Sequence, residues 1–242
     1  MPHPALLLPL ALLLHPSSSS MPLASGASAS SAPVSSTSGP NTDEAARALH
    51  VLVFGDSITA GYGLTAAQAF PALVEATARR EGLAVRVTGS GVSGETTVGG
   101  LARLPRVLDA AGAVDVFVLE LGANDAFRGV APERTEQNLV ALVRAVQARH
   151  PNARVVVAGM EIPASAWGGY GALASAYSAV FRRAATATGA TLVPFLLDGV
   201  AGVRAYTLPD RLHPNAEGQR RVAATLWHTL GPLVRQGAPR TV

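Results

Sequence analysis

The 242-residue chain contains no cysteine. Disulfides, thiolate nucleophiles, thiolate metal sites and a lipid-modified N-terminal cysteine are therefore excluded. Lysine is absent too, and all nineteen basic residues are arginine. Schiff-base and pyridoxal chemistry need a lysine amine, and the P-loop needs a lysine on its phosphates, so those classes fall as well. Charged residues make up 14% of the chain and aromatics 5%. The pI near 9.9 accompanies a formal net charge of only +3, because arginine does not deprotonate. The arginines are scattered, in runs no longer than pairs such as Arg79-Arg80 and Arg182-Arg183. A nucleic-acid surface clusters basic residues and interleaves aromatics, so no nucleic-acid partner is expected. No apolar run reaches the roughly 18–20 residues of a membrane-spanning helix, so the mature chain is not expected to insert stably into a bilayer. No repeat of fixed period is visible. What remains is a chain with 48% hydrophobic residues, long enough for one sizeable domain.

The N-terminal segment has a different composition. Residues 5–14 are apolar over a length that suits a signal-peptide core, although His3 rather than an arginine precedes them. Small-residue cleavage candidates such as Ala27-Ser28-Ala29 follow. Serine-rich sequence then continues to Pro40 with almost no large apolar side chain, too little to offset the entropy of ordering it. Residues 1–29 therefore read as a signal peptide, 30–45 as a flexible linker and 46–238 as the folded domain. Export to the periplasm or medium is the expectation. Translation from Met21 or later would instead leave the chain in the cytoplasm.

Within the folded part, apolar runs alternate with helical patterns. Strands are expected at Leu49–Phe54, Leu83–Val87, Val114–Leu121, Ala153–Ala158 and Thr191–Phe195. Helices are expected over 65–80, in parts of 97–110, and over 133–149, 170–188 and 215–235. The clearest, 133–149, places Leu139, Leu142, Val143 and Val146 at helical spacing. The last places Val222, Leu226, Leu230 and Leu233 on one stripe. The strands are apolar on both faces rather than alternating, with Val114–Leu121 interrupted only by Asp115 and Glu120, as in a mostly parallel sheet covered on both faces. Chemistry in such sheets sits beyond the carboxyl ends of the strands.

The candidate groups emerge by elimination. Of six histidines, His3 and His15 lie in the leader and His50 begins a strand. His150 closes a helix before Pro151, where a cation suits the dipole, and His228 lies within a helix. His213 alone occupies a strand-to-helix loop, with Asp210 three residues earlier and Pro214 fixing the backbone after it. No second histidine stands near it, so a metal site is not expected, and chemistry by a hydroxyl, an imidazole and a carboxylate needs no organic cofactor. Ser57, directly after the first strand in Gly55-Asp56-Ser57, is a candidate nucleophile, or simply a helix N-cap. Ser93 competes with it, but no Gly-x-Ser-x-Gly elbow occurs in the chain. Gly94, in Ser93-Gly94-Glu95-Thr96, and Asn124, in Gly122-Ala123-Asn124-Asp125, are candidate oxyanion donors or ordinary turn residues. Gly-x-Gly-x-x-Gly is missing after the first strand, which argues against a nucleotide-binding domain.

These four blocks, in this order and over nearly all of residues 49–235, resemble the GDSL or SGNH hydrolase family. Ser93-Gly94-Glu95-Thr96-Thr97, the segment Gly100–Pro105 and Leu121–Asp125 are similar to its bacterial periplasmic branch of acyl-CoA thioesterase/lysophospholipases and arylesterases. The resemblance implies a flavodoxin-like three-layer α/β/α sandwich with a central, mostly parallel five-stranded sheet. It implies Ser57 as nucleophile, His213 as general base and then acid, and Asp210 as its orienting partner. The Ser57 N–H, the Gly94 N–H and the Asn124 amide would form the oxyanion hole. Substrate contacts are expected from Asp56, Asp125, Phe127, Arg128, Ile162 and Pro163, the last two in a loop at 160–171 with Trp167 and Tyr170. The expected activity is hydrolysis of carboxylic esters and thioesters through an acyl-enzyme. A carbohydrate acetyl-esterase on the same scaffold and a non-catalytic lipid- or glycan-binding protein are the alternatives. Two residues depart from the family pattern: Ile58 replaces the usual leucine, and Arg211 stands where glycine is common, which could put a positive charge at the entrance.

Overall fold

The computed structural model describes residues 48–161 and 171–237. The expected signal peptide and linker, and the expected contacts Ile162 and Pro163, lie outside the described residues.

The chain runs β1 (Leu49–Gly55), α1 (Ser57–Ala60), α2 (Phe70–Arg80), β2 (Val85–Gly91), α3 (Thr97–Ala111), β3 (Val116–Glu120), α4 (Ala123–Phe127), α5 (Pro132–Arg149), β4 (Arg154–Ala158), α6 (Gly171–Thr188), β5 (Thr191–Val193) and α7 (Ala216–Gly237). The five strands lie in the order β2-β1-β3-β4-β5, and every neighbouring pair is parallel. Helices α2 and α7 pack together over one face, while α3, α5 and α6 lie side by side over the other. All residues of β1 and β3 are buried, which is why neither shows a polar side in its sequence. Among the described residues no helix is long and apolar enough to cross a membrane.

The differences from expectation have local causes. β2 runs through Gly91 rather than stopping at Val87. It is an edge strand whose last residues pair with β1 through the backbone (Val53 with Gly89, Gly55 with Gly91), so no hydrophobic signal marks them. Helix α3 is continuous despite Pro105, and Gly100 lets it approach Leu121 and Phe54 on the sheet. In α7 the fully buried stripe is Val222, Leu226, Leu230 and Val234, with Leu233 at its margin. The short helices α1 and α4 have too few residues to show a period.

This strand order reverses direction between β1 and β3. Each of them feeds a short helix at its carboxyl end, and the crevice between such ends is where a doubly wound sheet binds ligands.

Candidate active site

At the end of β1 the chain turns sharply into α1. A Cβ on Gly55 would lie 2.1 Å from Thr59 Oγ1 and 2.5 Å from Glu120 Oε2, so the turn admits no side chain. Asp56 caps α1, its Oδ1 accepting the Ile58 N–H at 3.0 Å, and Ser57 becomes the first helical residue. The Ser57 hydroxyl lies 3.0 Å from His213 Nε2, across 156 positions of sequence. His213 Nδ1 lies 2.6 Å from Asp210 Oδ2, and Asp210 Oδ1 accepts the Leu212 and His213 N–H groups at 2.9 and 3.0 Å. The loop carrying this pair is closed by the Leu208 N–H, which donates to His213 O at 2.8 Å. It is docked through α7, whose Gln219 accepts from the Phe70 N–H and donates to Ile58 O. Tyr62 lays its ring on the imidazole, with centroids 4.3 Å apart.

Two further loops face the hydroxyl. Gly94 sits at φ 76°, a left-handed conformation that glycine adopts without strain. Among the described residues neither the Gly94 N–H nor the Ser57 N–H is paired with an acceptor. Arg103 holds the Gly94 loop by binding the Glu95 carboxylate, Ser90 Oγ and Gly55 O, with its guanidinium 4.0 Å above the Phe54 ring. Asn124 Nδ2 donates to Asp56 Oδ2 at 2.9 Å and Glu95 O at 3.0 Å. Both amide hydrogens are thus engaged, and an oxyanion would have to share one of them.

Beneath the turn two carboxyl groups meet in the core. Glu120 is fully buried, and its Oε2 accepts from Thr59 Oγ1 at 2.7 Å and from the N–H groups of Asp56 and Thr59. Its Oε1 has no partner among the described residues. Burial, reinforced by the neighbouring Asp56 charge, pushes Glu120 well above the ordinary carboxylate range. Burial also pushes Asp56 up, to about 6, against the lowering pull of the Ile58 N–H, Glu120, His213 and Ser57. The two carboxyls form a coupled pair, each holding its proton to higher pH than an exposed carboxyl does. Such raised carboxyls bind protons in the native state that the unfolded chain has released, so stability falls as pH rises from about 4 through about 6. Glu120→Gln keeps a neutral acceptor and removes one acid. Its unfolding free energy by denaturant titration should drop less than the wild type's between about pH 4 and about pH 8; an equal drop would place the titration elsewhere. At Asp210 burial alone would raise the pKa, but the His213 ring and the Leu212 and His213 amides outweigh it and hold the carboxyl below its ordinary value.

The other expected residues divide. Phe127 is half exposed and lines the cavity beside Ser57, as does Ser93, which makes no hydrogen bond to a histidine among the described residues. Asp125 does not reach substrate: it is fully buried, accepting the Thr97 N–H at 2.8 Å and the Thr97 hydroxyl at 2.5 Å, and so straps the Gly94 loop to the Asn124 loop. Asp56 borders the cavity, but both carboxylate oxygens serve α1 and Asn124, so its work is positioning rather than contact. Arg128 does not line the cavity either, and its Nη2 donates to Gly94 O at 2.8 Å. His150 is not the expected helix-end cation, because burial lowers its pKa. Glu120, Gln219, Tyr62 and Arg103 carry positioning contacts that the sequence pattern did not single out; only the buried acid inside an apolar strand stood out as a local anomaly.

The cavity these loops enclose measures about 840 Å³. Ile58, Phe127, Met160, Leu197 and Leu212 give it apolar walls, and Ser57, Gly94, Asn124 and His213 converge at one place in it.

The GDSL-like lipase/acylhydrolase family model matches residues 53–221, from the middle of β1 into α7. The chain belongs to this family. It is 39% identical to Esterase TesA of Pseudomonas aeruginosa over 189 residues, 78% of this chain and 91% of that one. It is 34% identical to the thioesterase 1/protease 1/lysophospholipase L1 of Escherichia coli K12 over 193 residues, 80% of this chain and 88% of that one. The fold matches the crystal structure of TesA with a TM-score of 0.70 at 38% identity, covering 76% of this chain and 99% of the other. This chain is therefore an ester-bond hydrolase on the SGNH scaffold.

One residue of the His213 loop has an uncommon backbone conformation. Arg211 has φ 58°, and among the described residues it is the non-glycine residue with positive φ. The turn requires that conformation, since the Arg211 N–H donates to Leu208 O at 2.9 Å while Asp210 reaches forward to two amides and the imidazole. Holding an L-residue there costs about 1–2 kcal/mol.

Proposed function

We propose that the chain is a serine esterase that hydrolyses carboxylic esters and thioesters of short-to-medium acyl or aryl groups through an acyl-enzyme. The observation that carries this reading is the hydrogen-bonded series Ser57–His213–Asp210 opening into an apolar cavity. Ser57 Oγ attacks the carbonyl carbon as His213 Nε2 takes its proton. Asp210 keeps the Nδ1 proton in place and balances the imidazolium. The tetrahedral oxyanion meets the Ser57 and Gly94 N–H groups and a shared hydrogen of Asn124. His213 returns the proton to the departing alcohol or thiol, and a water activated by the same imidazole cleaves the acyl-Ser57 ester. The apolar walls favour acyl and aryl groups over acetylated sugars.

A panel of p-nitrophenyl esters and acyl thioesters, run on the purified chain with Ser57→Ala as control, tests this reading, together with mapping of fluorophosphonate label to Ser57. Activity confined to acetyl-xylan would replace it with a carbohydrate acetyl-esterase, and label on Ser93 would move the nucleophile. Asn124→Ala should lower kcat by about 10²–10³-fold with little change in KM, measured on the best ester of the panel. We further propose that the chain is exported after cleavage near Ala29. Mass spectrometry of the mature N-terminus tests this, and an intact Met1 or Met21 in the cytosol would refute it.

A further inference from the structure

We propose that Arg211 is a specificity-determining residue that holds a phosphate on the leaving group of the substrate. The inference rests on the serine esterase reading and adds to it the charge of the substrate class.

Three observations carry it. The first is conformational: the catalytic loop demands a left-handed residue at position 211, a demand glycine meets without strain, yet a long cation occupies it. The second is placement: Arg211 lines the same cavity as Ser57 and His213. The third is electrostatic. Among the described residues Arg211 makes no ion pair, whereas Arg103 and Arg183 bind carboxylates. The acids lining the cavity are Asp56, which is engaged within the site, and Glu161, which forms no ion pair among the described residues; Asp210, behind His213, is held by that imidazole.

The side of the site follows from the chemistry. His213 must hand its proton to the departing atom, so the leaving group lies against the imidazole. Arg211 sits two residues before that imidazole on the same loop and faces the same cavity. A guanidinium there meets the leaving group rather than the acyl chain, which has the walls at Phe127, Met160 and Leu197. Guanidinium binds phosphate by paired, charge-assisted hydrogen bonds, so a phosphorylated alcohol or thiol is the matching chemistry.

Matched hexanoyl substrates test this on the full chain. One pair compares 1-hexanoyl-glycerol 3-phosphate with 1-hexanoyl-glycerol; the other compares hexanoyl-CoA with the hexanoyl thioester of N-acetylcysteamine. Arg211→Asn keeps a residue that tolerates the left-handed turn and removes the charge, while Arg211→Lys keeps a charge. In Arg211→Asn, kcat/KM for the phosphorylated member of at least one pair should fall about 10-fold through KM, with its neutral partner unchanged and Arg211→Lys retaining part of the preference. The pair that responds identifies the phosphate as a glycerophosphate or a coenzyme phosphate. The preference should also fade as salt is raised. An unchanged phosphorylated-to-neutral ratio in both pairs, or an equal loss on both members of a pair, overturns the proposal while leaving the esterase reading intact. If Glu161→Gln reproduced the loss, the guanidinium would be serving that carboxylate and the proposal would fall. Absence of hydrolysis of all four substrates and of p-nitrophenyl hexanoate by the wild type would instead refute the esterase reading itself.

Discussion

Ser57→Ala is expected to lower kcat by about 10⁶-fold on any ester the wild type cleaves. The change removes the hydroxyl that lies 3.0 Å from His213 Nε2 and leaves the imidazole, the cavity and the oxyanion donors in place. No comparable nucleophile replaces it. Cysteine is absent, and although Ser93 borders the cavity, the two ring nitrogens of His213 are engaged by Ser57 and Asp210. His213→Ala should cost a similar factor, because a serine hydroxyl without its base is a poor nucleophile. The double variant should be scarcely worse than either single one, since the two groups act as a unit. Ester hydrolysis by the three purified variants, with circular dichroism to verify folding, measures this. Wild-type turnover in Ser57→Ala would move the chemistry to another residue, and multiplicative losses would mean that Ser57 and His213 act independently.

Asp210→Asn should lower kcat by about 10⁴-fold, with the fold intact and KM little changed. Asp210 uses one oxygen for the Leu212 and His213 amides and the other for His213 Nδ1. Asparagine has one carbonyl oxygen. If the two backbone amides keep it, the side-chain NH₂ faces Nδ1 and donates to it. The ring proton then sits on Nε2, the atom that accepts the Ser57 proton in the proposed mechanism, and the base of that mechanism is blocked by its tautomer. The loss should therefore fall on kcat and, in parallel, on the rate of fluorophosphonate labelling. A variant that still labels at the wild-type rate would show that Asp210 does not set the tautomer. Because hydrogen bonds hold Asp210 below its ordinary pKa, it stays ionised across the working range, and its own titration should not shape the acid limb of the rate profile.

Both expectations depend on contacts between residues far apart in the chain, and they mark the line between local and tertiary information. Continuous apolar runs at Leu49–Phe54 and Val114–Leu121 require burial on both faces, and with helical segments between them they leave a parallel α/β sheet as the arrangement that satisfies them. A serine after the first strand, a histidine in the last loop and the absence of cysteine and lysine restrict the chemistry before any coordinate is known. Positions 57, 94, 124, 210 and 213 could therefore be picked out as candidates from strand ends and elimination, and it was the resemblance to the GDSL family that gave them roles.

Roles that depend on what a side chain meets could not. Asp125 and Arg128 lie next to the oxyanion segment in sequence, but one is clasped by Thr97 and the other by Gly94 O. Glu120 reads as a blemish in a strand until Thr59 and Asp56, more than sixty positions earlier, are folded onto it. Gln219 is an ordinary helix residue until its amide bridges α1 and α2. Periodicity reports which face of an element avoids water, since that depends on the element alone. A polar partner is fixed by register, crossover and loop closure, and those are properties of the assembled chain.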